Sequence, residues 1–137
     1  MAIGGTSAYY TFANIQSELR NHKFKAQLLD CSEEYGLMSI QGPRSRDILS
    51  ETFNGGASFD NENFPFSTHR VVEFKGHKVR ALRLSFVGEL GWELHVPKNI
   101  CEELYEEIMR VGEQHGIRNA GYRAIDSLSA EKGNASH

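Results

Sequence analysis

Phe12, Ile15 and Leu19 fall at helical spacing in an otherwise polar stretch, which predicts a helix from about Tyr9 to Arg20 with a narrow apolar stripe. The pattern then changes. "GLMSIQG" reads as a short strand, and "GPRSRDILSETF" as a helix with Pro43 in its first turn and Ile48, Leu49 and Phe53 on its buried side. "NGGASFDNENFPF" is rich in Gly, Asn and Asp and predicts a surface loop. "THRVVEF" and "HKVRALRLSF" predict two strands joined by a tight hairpin at Lys75-Gly76, with Leu82, Leu84 and Phe86 on one face of the second. "WELHV" alternates, setting Trp92, Leu94 and Val96 against Glu93 and His95, and it is expected to pair with the preceding strand across a Gly88 to Gly91 turn. After Pro97, Ile100, Leu104, Ile108 and Val111 form one helical stripe, with Asn99 and Glu102 placed as a capping box and Gly116 as the stop. The tail "AGYRAIDSLSAEKG" carries Tyr122, Ile125 and Leu128 at helical spacing and reads as a short helix beside the sheet.

This order predicts an α+β fold, an antiparallel sheet with helices packed on one face, of ferredoxin-like flavour. A length of 137 residues suits one domain over 1–137, with a helical segment at about 7–22 and an α+β body at about 27–133. Apolar residues at 39% and charged residues at 24% are ordinary for a globular chain, and a net charge of -3 offers no basic surface for nucleic acid or anionic lipid. No run reaches the length of a membrane span, and the first residues lack the character of a secretory signal. Cys31 and Cys101 are far apart and without metal-like spacing, so a reducing compartment is the simpler expectation; the sequon at Asn134 carries no weight against it.

Candidate chemistry centres on "FVGELGW". Glu89 is either the solvated tip of a turn or a carboxylate placed to meet a ligand. Gly88 and Gly91 would allow another molecule to approach the backbone, and Phe86, Val87, Leu90 and Trp92 supply apolar walls. A carboxylate there can accept two parallel hydrogen bonds from a guanidinium or from a pterin's amino group and ring N–H, with Phe86 or Trp92 stacking on the flat ring. Arg123 in "GYRAID" is a surface residue, a partner for Asp126, or a fork facing a ligand carboxylate or carbonyl. Arg44 and Arg46 read as solvated face. The six histidines show no metal spacing, and the chain has no nucleophile elbow, dinucleotide fingerprint or phosphate loop. Both cysteines read as small buried residues.

In "LMSIQGPRSRDILS", "FPFSTHRVVEF", "VRALRLSFVGELGWELHVP" and "GIRNAGYRAIDSLSAEKG" the chain resembles the folate-binding, aminomethyltransferase-like family that includes sarcosine dehydrogenase, dimethylglycine dehydrogenase and the T protein of the glycine cleavage system. The resemblance runs from about Gly4 to Gly133. It implies a tetrahydrofolate-binding module with Glu89 as the pterin anchor and Arg123 lining the folate site. It also implies FAD in a separate domain of the same parent chain, oxidation of an N-methyl amine there, capture of the one-carbon unit by tetrahydrofolate, and a mitochondrial matrix location. The family's catalytic aspartate is expected outside these residues, so the chain alone should not turn over. Two departures from the T-protein branch, Phe86-Val87 in place of Tyr-Thr and Ser129 in place of a second arginine, weaken the carry-over of amine-transfer chemistry. The alternative is a non-catalytic binding or scaffold module of the same family.

Overall fold

The computed structural model describes residues 5–54 and 58–133. The sequon at Asn134 and the Gly-Gly-Ala at the start of the predicted loop lie outside them. The chain divides into two compact units, Met1–Cys31 and Ser32–His137. The first contains helix α1 (Gly5–Asn21), one turn longer at its start than its apolar stripe predicts. Glu18 and His22 pair at 3.1 Å near its end, and Lys23 at φ 52° turns the chain out of the helix.

The second unit is built on a four-stranded sheet: β1 (Tyr35–Gln41), β2 (His69–Phe74), β3 (His77–Leu82) and β4 (Gly91–Pro97), in the order β1-β4-β3-β2. Each neighbouring pair is antiparallel. Phe74 faces His77 across Lys75-Gly76, both at positive φ (48° and 83°), which is the twisted two-residue turn that matches the strands' own twist. Val72, Val79, Ala81, Trp92, Leu94, Val96 and Ile40 line one face of the sheet and are buried. Against them pack Ile48, Leu49 and Phe53 of α2 (Ser45–Thr52) and Leu104, Ile108 and Val111 of α3 (Cys101–Gly112). The antiparallel sheet with helices on one face is therefore the observed architecture. The other face carries Glu93 and His95, with Tyr35, Leu37 and Val71 exposed.

Phe59 and Phe64 complete this core from the loop before β2. The Trp92 ring centroid lies 5.5 Å from Phe59 and 6.1 Å from Phe64, both edge-on, the arrangement ring quadrupoles favour. Burying each such ring is worth about 1.5–3 kcal/mol, so this cluster is a main source of the unit's stability.

Three local expectations fail. The Asn99 capping box is absent: Lys98–Ile100 form a 3-10 turn, Lys98 N–H donates to Glu34 O at 2.9 Å, and α3 starts at Cys101 with no side-chain cap. The second hairpin strand stops at Leu82. Arg83 leaves the ladder because its backbone bonds to Thr68 and Ser67 and its guanidinium donates to Phe64 O at 2.6 Å. Residues 83–90 are thus a wide loop instead of a tight Gly88 to Gly91 turn. Finally, the Tyr122, Ile125 and Leu128 stripe of α4 (Tyr122–Glu131) does not enter the core; Tyr122 is 87% exposed, and Ser129 is the buried residue of that helix.

Candidate functional site

The 83–90 loop is held at several points by residues distant in sequence. Gly42 N–H donates to Leu90 O at 2.7 Å, and the buried Ser45 Oγ lies 2.6 Å from Gly42 O and 3.2 Å from Leu90 O. The start of α2 therefore fixes the carbonyl next to Glu89. Gln41 reaches across from β1: its Nε2 donates to Leu84 O at 3.4 Å, and its amide lies where a Cβ on Gly91 would be, 2.0 Å from Oε1. On the other side, Ser129 Oγ of α4 donates to Phe86 O at 2.6 Å. Sequence reasoning singled out Arg44 and Arg46 in the α2 segment, noted Ser129 only as a departure from the T-protein branch, and missed Gln41 and Ser45. The signal for Ser45 was weak but present, since a serine beside Gly-Pro at a helix start is well placed to bond nearby backbone.

Glu89 is half-buried and meets Lys132, whose Nζ lies 2.6 Å from Oε1. Lys132 caps α4 at its C-terminus: its N–H donates to Leu128 O at 3.2 Å, Gly133 N–H donates to Ala130 O at 3.0 Å, and its backbone is still in the right-handed helical region. Its aliphatic stem lies over Gly88, with Cγ 2.9 Å from the position of a Cβ there. Gly88 has φ +68°, a conformation that side chains with a Cβ resist. The close approach that these glycines permit is thus used within the chain, by Lys132 at Gly88 and by Gln41 at Gly91.

The other predicted site residues separate. Phe86 is 62% exposed and presents an open ring beside the Glu89 loop. Trp92 is 0% exposed. Its ring faces are taken by the phenylalanine cluster and by the guanidinium carbons of Arg46 and Arg83, at 5.9 and 5.8 Å, so as placed it has no surface on which a ligand could stack. Arg46 is a strap instead of a solvated side chain, donating to Phe59 O at 2.8 Å and to Asn61 at 2.7 Å. Burial, then repulsion from Arg46, lowers the pKa of Arg83. Arg123 is exposed at the second position of α4 and makes no ion pair among the described residues. It precedes Lys132 by nine residues, about 13 Å along a helix axis, so Arg123 and Glu89 are not brought together.

An open depression of about 340 Å³ lies at α2 and α3, lined by Glu51, Arg110, Val111, Glu113 and Gln114, and does not include Glu89. Glu51 is already held by Gln114 at 2.8 Å and His115 at 2.9 Å. Among the described residues no group of three His, Cys, Asp or Glu is arranged to hold a metal ion, and no helix is long and apolar enough to cross a membrane.

What the loop offers is one half-exposed carboxylate in a fixed backbone, a second oxygen beyond the lysine contact, and an exposed aromatic ring nearby. The GCVT N-terminal domain matches residues 1–137. The chain belongs to that family. It is 55% identical over 133 residues to mitochondrial sarcosine dehydrogenase of Mus musculus and 54% identical to that of Homo sapiens, covering 97% of this chain and 14% of each relative. It is also 36% identical over 107 residues to the mitochondrial pyruvate dehydrogenase phosphatase regulatory subunit of Mus musculus, covering 77% of this chain and 12% of that one. Two of the segments that carry the resemblance, "VRALRLSFVGELGWELHVP" and "GIRNAGYRAIDSLSAEKG", touch in this GCVT N-terminal domain through Ser129 and Lys132.

Proposed function

We propose that this GCVT N-terminal domain is the tetrahydrofolate-binding module of a sarcosine dehydrogenase-like flavoenzyme of the mitochondrial matrix, which demethylates sarcosine oxidatively and passes the one-carbon unit to tetrahydrofolate. The observation that carries the reading is the Glu89 carboxylate on a loop fixed at Phe86 and Leu90 carbonyls. An ionised carboxylate accepts two parallel N–H bonds, and the amino group and neighbouring ring N–H of a reduced pterin present that pair. Phe86 would cover the ring face, and Arg123 would line the site farther along α4. Trp92 contributes by holding the first residues of β4 in place. Tetrahydrofolate, when bound, supplies the amine that accepts the one-carbon unit; this chain's residues bind and orient it. FAD finds no fit among these residues, which have no glycine-rich dinucleotide turn, and belongs in this reading to a separate domain of the parent.

Titrating the full chain with tetrahydrofolate tests this. Glu89→Ala should weaken binding by about tenfold or more, since a hydrogen bond to a charged group is typically worth about 1.5–3 kcal/mol. Unchanged affinity would remove Glu89 from the site.

The second reading is a non-catalytic module of the same family. Similarity to a regulatory subunit across most of the chain supports it. Bound flavin in the full-length protein favours the enzyme, and its absence the regulatory module.

A further inference from the structure

Resting on the Glu89 reading, we propose that Lys132 sets the threshold for ligand binding: its ammonium holds one oxygen of the recognition carboxylate, and a ligand that pairs with both oxygens does so by displacing it. The lysine is not loosely placed. Ser129, three residues earlier on the same helical face, anchors α4 to Phe86 O; the Lys132 stem runs over Gly88; and the ammonium ends 2.6 Å from Glu89 Oε1. Lys132 is also the C-cap residue of α4, just past its last turn, where a cation is favoured by the helix dipole.

The pair is accessible as well as positioned. The two side chains are 46% and 37% exposed, so water and a ligand both reach them, and the Lys132 side chain can swing away through its own rotatable bonds without moving α4. With the lysine in place the carboxylate stays aimed. A ligand offering one N–H to the remaining oxygen gains one bond; a ligand offering two must expel the ammonium and recovers a charge-assisted bond at each oxygen. Lys132 therefore lowers affinity while leaving the carboxylate ready, and it explains why the loop needs glycine at position 88 under the lysine stem.

Tetrahydrofolate titrations of the full chain, with Glu89→Ala, Lys132→Met and Lys132→Arg beside the unmodified protein, test this. Lys132→Met keeps the stem over Gly88 and removes the charge. It should tighten binding about twofold to fivefold, the range for breaking one exposed ion pair. Lys132→Arg should restore the unmodified affinity, and the gap between Met variant and unmodified protein should narrow as added salt screens the pair. If Glu89→Ala weakens binding while Lys132→Met leaves it unchanged or weakens it, the lysine is no threshold and this inference fails alone. If Glu89→Ala changes nothing, the proposed site falls and the inference with it.

Discussion

Gly88 answers to two constraints, a backbone at φ +68° and a lysine stem 2.9 Å from where its Cβ would be. Gly88→Ala should therefore destabilise the chain by about 1–3 kcal/mol, the usual cost of a side chain held in a sparsely populated conformation. In a Lys132→Ala background the steric part should vanish and the backbone part remain. Urea denaturation of the four proteins in this cycle checks it, and a cost identical in both backgrounds would mean that the stem does not press on residue 88. Glu89 was legible in the sequence because a single acid framed by glycines and apolar residues is an anomaly. Lys132 was not, since it lies 43 residues away and a lysine at a helix end looks like any solvated one. Trp92 was legible twice over, as a core residue by alternation and as a stacking wall by its aromatic character. Burial decides between them, because Phe59 and Phe64 reach its ring from a loop with no periodicity to announce them.

At the scale of elements, the Lys75-Gly76 hairpin, the α3 stripe and all four strands follow from local pattern, whereas ends and caps do not. The capping box needed Asn99 outside the helix, but the bond from Lys98 to Glu34 O draws that residue into a 3-10 turn. Likewise, "HKVRALRLSF" reads as continuous strand until Arg83 is bonded away to the loop before β2, a contact no window of sequence contains. For α4, periodicity identified the helix but mistook its buried side. The polar Ser129 is its docking point and the apolar stripe is not. Ser129→Ala should leave the Phe86 carbonyl without its donor, at a cost of about 1–3 kcal/mol. That loss should be local. Trypsin cleavage at Arg123 and Lys132 should accelerate by about tenfold while the urea midpoint of the core moves little. No change in cleavage would mean that α4 is held by something else.

For the whole molecule, pH enters through His95. Burial lowers its pKa, Arg80 adds to the shift and Glu93 opposes it. Because the folded state resists a proton that the unfolded chain accepts below about 6.5, the unfolded state binds more protons there, and stability falls as pH drops through that value. His95→Gln should remove this contribution. The drop in urea midpoint between about pH 7.5 and about pH 5.5 should be smaller in the variant, and equal drops would excuse His95. The fold class followed from element order alone, since one apolar face per element leaves few ways to enclose a core. What holds the 83–90 loop was hidden because it depends on three segments meeting.

β4 lies between β1 and β3, and the Glu89 loop ends where it begins. Edge strands fray first when a sheet breathes, and a central strand with Trp92 sealed beneath it gives way only with the whole. The acidic group is moored to the part of the protein that yields last. Partial opening elsewhere can therefore loosen what surrounds Glu89 without letting go of the strand from which it hangs.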